Sequence, residues 1–256
     1  MYRRESTGLD TDDYRKLSRR LGQPNLSKRL NRQTELTAIS RSRRRCTAHF
    51  GGGAWKQTII GHGLRAVGLY GRGYRNFQDI QIRRNVVKFA KLPQAFDGYR
   101  IMHISDLHID LDPALTDIVI ERLADVEYDL CVITGDFRSD TVGPSDSAIG
   151  ETMRVMERID APTYATLGNH DFIESVPPLE QAGIQFLLNE TVTITREGDR
   201  LYLSGIDDSY TYMTDDLPRA GLAVPAGAPS VLLSHTPDVY RAAAAYEYDL
   251  MLCGHT

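Results

Sequence analysis

The chain has 256 residues, 41% of them hydrophobic in type, and a net charge of −4 from 30 Lys and Arg against 34 Asp and Glu. That length can bury one sizeable core with room for an appendage, and the composition excludes a disordered or collagen-like protein. The small net charge hides a segregation: residues 1–85 carry 19 basic and 6 acidic side chains, whereas residues 86–256 carry 11 and 28.

Cys46, Cys131 and Cys253 are too few and too scattered for a disulfide framework or a Cys-zinc site, and read as free thiols in a reducing compartment. The longest weakly apolar stretch, residues 59–71, is broken by His62 and Arg65. It falls short of the ~20 residues a membrane span requires. The amino terminus lacks the charged, apolar and small-residue pattern of a signal peptide. These features predict a cytoplasmic protein, with peripheral contact at the inner face of a membrane left open.

Residues 1–58 show no sustained period of 2 or 3.6 and are rich in Arg, Ser, Thr, Gly and Gln, which predicts a basic, flexible arm apart from the core. Its densest positive spot is Arg41, Arg43, Arg44 and Arg45. A solvated cluster is the plain reading; the sharper one is attraction to nucleic acid or to anionic headgroups, at about 1 kcal/mol per Lys or Arg. Residues 59–85 interleave Gly61, Gly63, Gly68, Gly71 and Gly73 with Ile59, Ile60, Leu64, Val67, Leu69 and Tyr70. This spacing suggests a short amphipathic surface helix weakened by its glycines.

From residue 86 onward short apolar runs alternate with helical ones. Residues 101–105, 130–134, 163–167, 231–234 and 250–253 read as buried strands. Leu115, Ile118, Val119, Leu123 and Val126 repeat at helical spacing behind Asp112 as N-cap and Pro113 at the first helical position. A second stripe, Ile149, Met153, Met156 and Ile159, stops at Pro162, and a third helix starts at Thr236-Pro237. Residues 191–206 read as a hairpin around Glu197-Gly198-Asp199. The alternation predicts an α/β fold with parallel pairing at its centre and a mixed sheet system.

Each buried run ends on a metal-binding residue type. Residues 101–105 stop at Asp106-Leu107-His108, residues 130–134 at Gly135-Asp136, and residues 163–167 at Gly168-Asn169-His170-Asp171; His235 and Gly254-His255 follow the last two runs. The carboxyl ends of strands are where open α/β sheets bind ligands, and four of the seven histidines lie there. A fold gains nothing by gathering unpaired carboxylates and imidazoles unless a cation compensates them. Asp106 and His108, two apart, would point to one side of an extended segment. Carboxylate, imidazole and amide donors without thiolate suit Mn, Fe, Zn, Co or Ni without selecting among them.

As an ordered set, Asp106-x-His108, Gly135-Asp136, Gly168-Asn169-His170-Asp171, His235 and Gly254-His255 resemble the signature of calcineurin-like metallophosphoesterases, over roughly residues 86–256. The resemblance implies a four-layer α/β/β/α sandwich of two mixed sheets flanked by helices, holding two divalent metal ions. It implies Asp106 and His108 on the first metal, Asp136 bridging, and Asn169, His235 and His255 completing the second. His170 would contact the phosphoryl oxygen or protonate the leaving group, with Asp171 orienting it. The family's last block continues Gly-His-x-His, and this sequence stops at Thr256, so it looks truncated before one further ligand.

Two cations about 3.5–4 Å apart can clamp a phosphate and lower the pKa of a water between them. The chemistry implied is hydrolysis of a phosphodiester, pyrophosphate or phosphomonoester. Residues 101–108 and 232–238 resemble bacterial membrane-associated phosphoesterases, some relatives of which cleave UDP-2,3-diacylglucosamine in lipid A synthesis. Alternatives are a nuclease or cyclic-nucleotide phosphodiesterase, in which the arm meets nucleic acid, or a non-catalytic remnant that binds one metal or a partner. Arg138 reads as a phosphate contact or a solvated loop arginine. Asp208 and Tyr210, with Asp207 and Tyr212, read as pocket residues or a plain surface loop. His49, His62 and His103 read as structural.

Overall fold

The computed structural model describes residues 8–48 and 54–256, with the side chains of residues 8–39 and 59–256. Strict alternation along the strands sorts apolar side chains into layers. In β2 (Leu130–Thr134), Cys131 and Ile133 join an apolar cluster with Val119, Val155 and Met156 of the helices, while Leu130 and Val132 face Leu201, Leu203, Val231 and Leu233 of the other sheet. In β7 (Ser230–Ser234), Leu232 turns the opposite way onto Leu217, Ala220 and Ala243. Three apolar layers thus separate helices, sheet, sheet and helices, which is the predicted four-layer sandwich.

The first sheet has the order β1-β2-β3-β4, with β1 (Ile101–Ile104), β3 (Thr163–Thr166) and β4 (Ile184–Phe186), and its described pairings are all parallel. Helices make the crossovers: α5 (Ala114–Leu123), α6 (Asp146–Met156) and α7 (Val176–Gln181). As the sequence suggests, Asp112 caps α5, accepting from the Ala114 amide at 2.8 Å. The second sheet is mixed, in the order β5-β6-β7-β8, with β5 (Glu190–Arg196), β6 (Asp199–Gly205) and β8 (Leu250–Cys253). Its one antiparallel pair is the predicted hairpin, whose turn places Glu197 and Gly198 at φ 51° and 92°, the left-handed pair a two-residue hairpin favours. α8 (Leu217–Gly221) and α9 (Tyr240–Ala245) cover its outer face.

The main departure from expectation lies in the first 58 residues. Asp10 accepts from the amides of Asp12 and Asp13 and starts α1 (Thr11–Leu21); Gly22, at φ 84°, turns the chain into α2 (Gln23–Ala48). Leu17, Leu21, Leu26 and Leu30 are buried in the same cluster as Ile173, Val176 and Leu179. Arg20 clasps Glu180 at 2.7 Å and Glu190 at 2.8 Å, and donates to the Phe186 carbonyl at 2.6 Å. Residues 11–33 are therefore packed onto the domain and are no flexible arm. The arginine cluster at 41–45 and His49 lie outside the described side chains. α3 (Ala54–Ala66) and α4 (Tyr70–Gln78) follow, and no residue of α4 is buried. Among the described residues no helix is long and apolar enough to cross a membrane.

Candidate active site

The strand-end loops are stitched into one surface by main-chain bonds. The Asp106 amide donates to the Gly135 carbonyl at 3.1 Å, His108 to Asp136 at 3.0 Å, and Gly254 to His235 at 2.9 Å. The two sheets join where the His235 ring meets the Thr134 carbonyl at 2.7 Å and the His255 amide donates to Asp106 Oδ2 at 3.0 Å. Asp106, His108, Asp136 and His255 all have positive φ, between 38° and 56°. Non-glycine residues tolerate that region only where surroundings impose it, and such strain gathers at functional sites. Asp106 and His108 are therefore not in the extended conformation the sequence suggested. Glycine is required beside them: a Cβ on Gly254 would lie 2.4 Å from Asp106 Oδ2, and one on Gly168 2.2 Å from Asp136 Oδ1.

Asp136 is the hub. Its Oδ2 lies 3.3 Å from His235 Nε2, 3.7 Å from His108 Nε2 and 3.8 Å from His170 Nε2, and its Oδ1 accepts from the His170 amide at 2.9 Å. Burial alone would raise the Asp136 carboxyl and lower the His235 imidazole. Their mutual attraction outweighs both, holding Asp136 below its ordinary range and lifting His235 to about 9. Three imidazoles aim Nδ1 at main-chain carbonyls: His108 at Arg138 (2.7 Å), His170 at Ser139 (2.6 Å) and His235 at Thr134 (2.7 Å). A carbonyl only accepts, so each Nδ1 carries a proton, and Nε2 is the ring atom left to face Asp136 and, once it has no proton, to hold a cation. Metal-ligating histidines are held in this way.

Ligand atoms of Asp106, Asp136, His235 and His255 all lie within 4.8 Å of one another, as do those of His108, Asp136 and His170. Asn169 Oδ1 is 2.9 Å from His235 Nε2. All six residues expected as ligands are thus in one cluster with Asp136 common to two groups. Their division differs from expectation in two respects. Asp106 groups with His235 and His255 rather than with His108, and His170 groups with His108. The donor set is hard and borderline, with no sulfur, and fits divalent cations.

Other expected residues have different surroundings. The Asp171 carboxylate does not meet the His170 ring; it accepts from the amides of Asp136 and Gly168 at 2.8 Å and of Phe137 at 2.9 Å. Arg138 is buried, donating to Ser145 Oγ and the Val142 and Gly143 carbonyls and stacking 4.6 Å from the Phe172 ring, so it is neither a phosphate contact nor solvated. Asp208 is buried and spends Oδ2 on the amides of Thr211 and Tyr212 at 2.6 Å. Tyr210 is 66% exposed with its ring 5.9 Å from that of His255, at the rim. His103 is structural as expected, bonded through Nε2 to Thr134 Oγ1 at 2.8 Å. Burial lifts the Cys131 thiol to about 12, far from a nucleophile. The sequence reading missed Arg29, a buried arginine hidden among many exposed ones, and the carbonyls of Thr134, Arg138 and Ser139, which carry no side-chain signature.

Comparison with known proteins agrees with this site. Over 248 residues the chain is 27% identical to a zebrafish (Danio rerio) transmembrane protein with metallophosphoesterase domain, covering 89% of this chain and 55% of that one. Over 168 residues it is 28% identical to phosphodiesterase YaeI of Escherichia coli, covering 62% and 60% respectively. The chain thus spans somewhat over half the length of these relatives. The family model for calcineurin-like phosphoesterases matches residues 99–256, the segment that carries both sheets and every clustered donor, and the chain belongs to that family.

Proposed function

We propose that the chain hydrolyses phosphoesters, phosphodiesters foremost, at a centre of two divalent cations sharing Asp136. The observation that carries this is the convergence of three Nε2 atoms on one buried carboxylate common to two donor groups. Asn169, His235 and His255 would hold one ion with Asp136, His108 would hold the other, and Asp106 would stand on the His235 side. Such ions supply charge neutralisation at the phosphoryl group and a water acidic enough to attack near neutral pH. His170 is fixed by the Ser139 carbonyl through Nδ1, which leaves Nε2 as the atom from which a proton would pass to a departing alkoxide. Tyr210 would flank the entering substrate.

The Mn-loaded full chain should turn over bis-p-nitrophenyl phosphate. Asp136→Asn should lose more than the about 10–100-fold that outer-sphere changes cost at metal sites. Equal rates in the two proteins would refute the assignment. His170→Ala should cost about 10²–10⁴-fold on alkyl esters, which need an acid to leave, and far less on p-nitrophenyl esters.

A membrane-facing substrate is the finer proposal, and α3 and α4 support it. Ile59, Ile60, Val67 and Leu69 are about half or more exposed, and residues 59–91 contain seven Lys and Arg against Asp79 alone. Exposed apolar groups among arginines suit an anionic bilayer. A lipid-linked pyrophosphate such as UDP-2,3-diacylglucosamine fits such a surface. Sedimentation with anionic but not zwitterionic vesicles supports this reading; steep salt-dependent binding to DNA or RNA without vesicle binding favours a nuclease.

A further inference from the structure

Arg29 on α2 is fully buried. Its Nη1 donates to Asp207 Oδ1 at 2.5 Å, its Nη2 donates to the main-chain oxygen of Asp171 at 2.8 Å, and its guanidinium lies 4.0 Å from the centre of the Tyr212 ring. Asp171 follows β3 in the first sheet and Asp207 follows β6 in the second. One side chain from a helix outside both sheets thus grips a carboxyl-end loop of each. The next turn repeats the grip on the first loop: Gln33 donates to Glu174 Oε2 at 2.7 Å and accepts from the Ile173 amide at 3.0 Å. Lys28 donates to the Met213 carbonyl in the second loop.

Both gripped loops lead to the site. The Asp171 carboxylate fixes the amides of Asp136, Phe137 and Gly168, so where the Asp171 main chain sits decides where the Asp136 carboxylate sits. Asp207 also accepts from the Thr214 hydroxyl at 2.6 Å, closing the loop that carries Tyr210 beside His255. Stability does not explain the choice of residue. Replacing a buried ion pair by apolar side chains of similar volume is often neutral or stabilising, whereas a planar guanidinium that donates to two separate acceptors fixes their geometry.

We propose that Arg29 is a positioning residue for the metal centre: it locks the 168–171 and 207–214 loops at one separation and so holds Asp136 where two cations can share it. This rests on the metal-centre reading above. The full chain is compared as wild type, Arg29→Lys, and the apolar double variant Arg29→Met with Asp207→Leu, which removes both partners of the ion pair together. Folding is followed by thermal melting, Mn²⁺ affinity by calorimetry, and amide exchange by mass spectrometry without metal. Expected are melting midpoints near wild type for the double variant, Mn²⁺ affinity about 10-fold weaker in both, and faster exchange of the segments containing Asp136, Phe137 and Gly168. Unchanged Mn²⁺ affinity in a folded variant overturns the proposal, and so does failure of both variants to fold, because the pair is then structural. If the wild type binds no Mn²⁺, the metal-centre reading itself fails, which the calorimetry distinguishes from failure of the clamp.

Discussion

α1–α2 and α3–α4 are both basic in composition, yet their arginines meet opposite fates. In the first pair Arg20 and Arg29 are spent on Glu180, Glu190 and Asp207, and four leucines enter the core. In the second pair the apolar groups stay exposed and the described arginines form no ion pair with the domain. Charge alone therefore does not say whether a basic segment is a solvated tether or part of the fold. What decides is whether acidic groups and an apolar face await it, and residues 171–190 and 207–216 supply both for α1–α2 only.

The largest contrast is expected from Arg29→Met, which strands the buried Asp207 carboxylate. Chemical denaturation should show a loss of about 3–5 kcal/mol. Leu26→Ala should follow at about 2–5 kcal/mol, while Leu64→Ala on α3 leaves the midpoint where it was; equal losses at both leucines would erase the distinction between the segments. A pH effect comes next. His235 has its folded value raised from an ordinary 6.5 to about 9, so its pairing with Asp136 stabilises the metal-free chain fully below about 6.5 and is lost as pH rises through about 9. Metal requires the neutral ring, so Mn²⁺ affinity should climb over the same window; a flat profile by calorimetry would contradict the pairing. The smallest effect concerns vesicles. Arg72→Ala or Arg75→Ala should each weaken binding to anionic vesicles by about 1 kcal/mol, and Arg15→Ala on α1 should leave it unchanged.

These contrasts show which parts were legible in the sequence. The strands and their ends were, because Ile101, Leu130 and Val231 belong to runs apolar on both faces and because Asp106, Asp136 and His235 stand where those runs stop. The docking of α1–α2 was not. Its apolar stripe is two leucines per helix, and the remaining contacts come from Arg20, Arg29 and Gln33, which read as solvated until their partners, some 140 or more residues away, are known. Nor could sequence tell that Asp171 would serve amides rather than the His170 ring, since a carboxylate's partner depends on loop backbone that leaves no pattern. Arg138 likewise turned inward onto carbonyls of its own loop.

In the proposed centre Asp136 is shared by two cations. Manganese titration of the full chain, followed by electron paramagnetic resonance, tests it directly. Two Mn²⁺ per wild-type chain with exchange-coupled spectra are expected, and at most one uncoupled ion in Asp136→Asn; the same stoichiometry and spectra in both proteins would rule out a shared carboxylate.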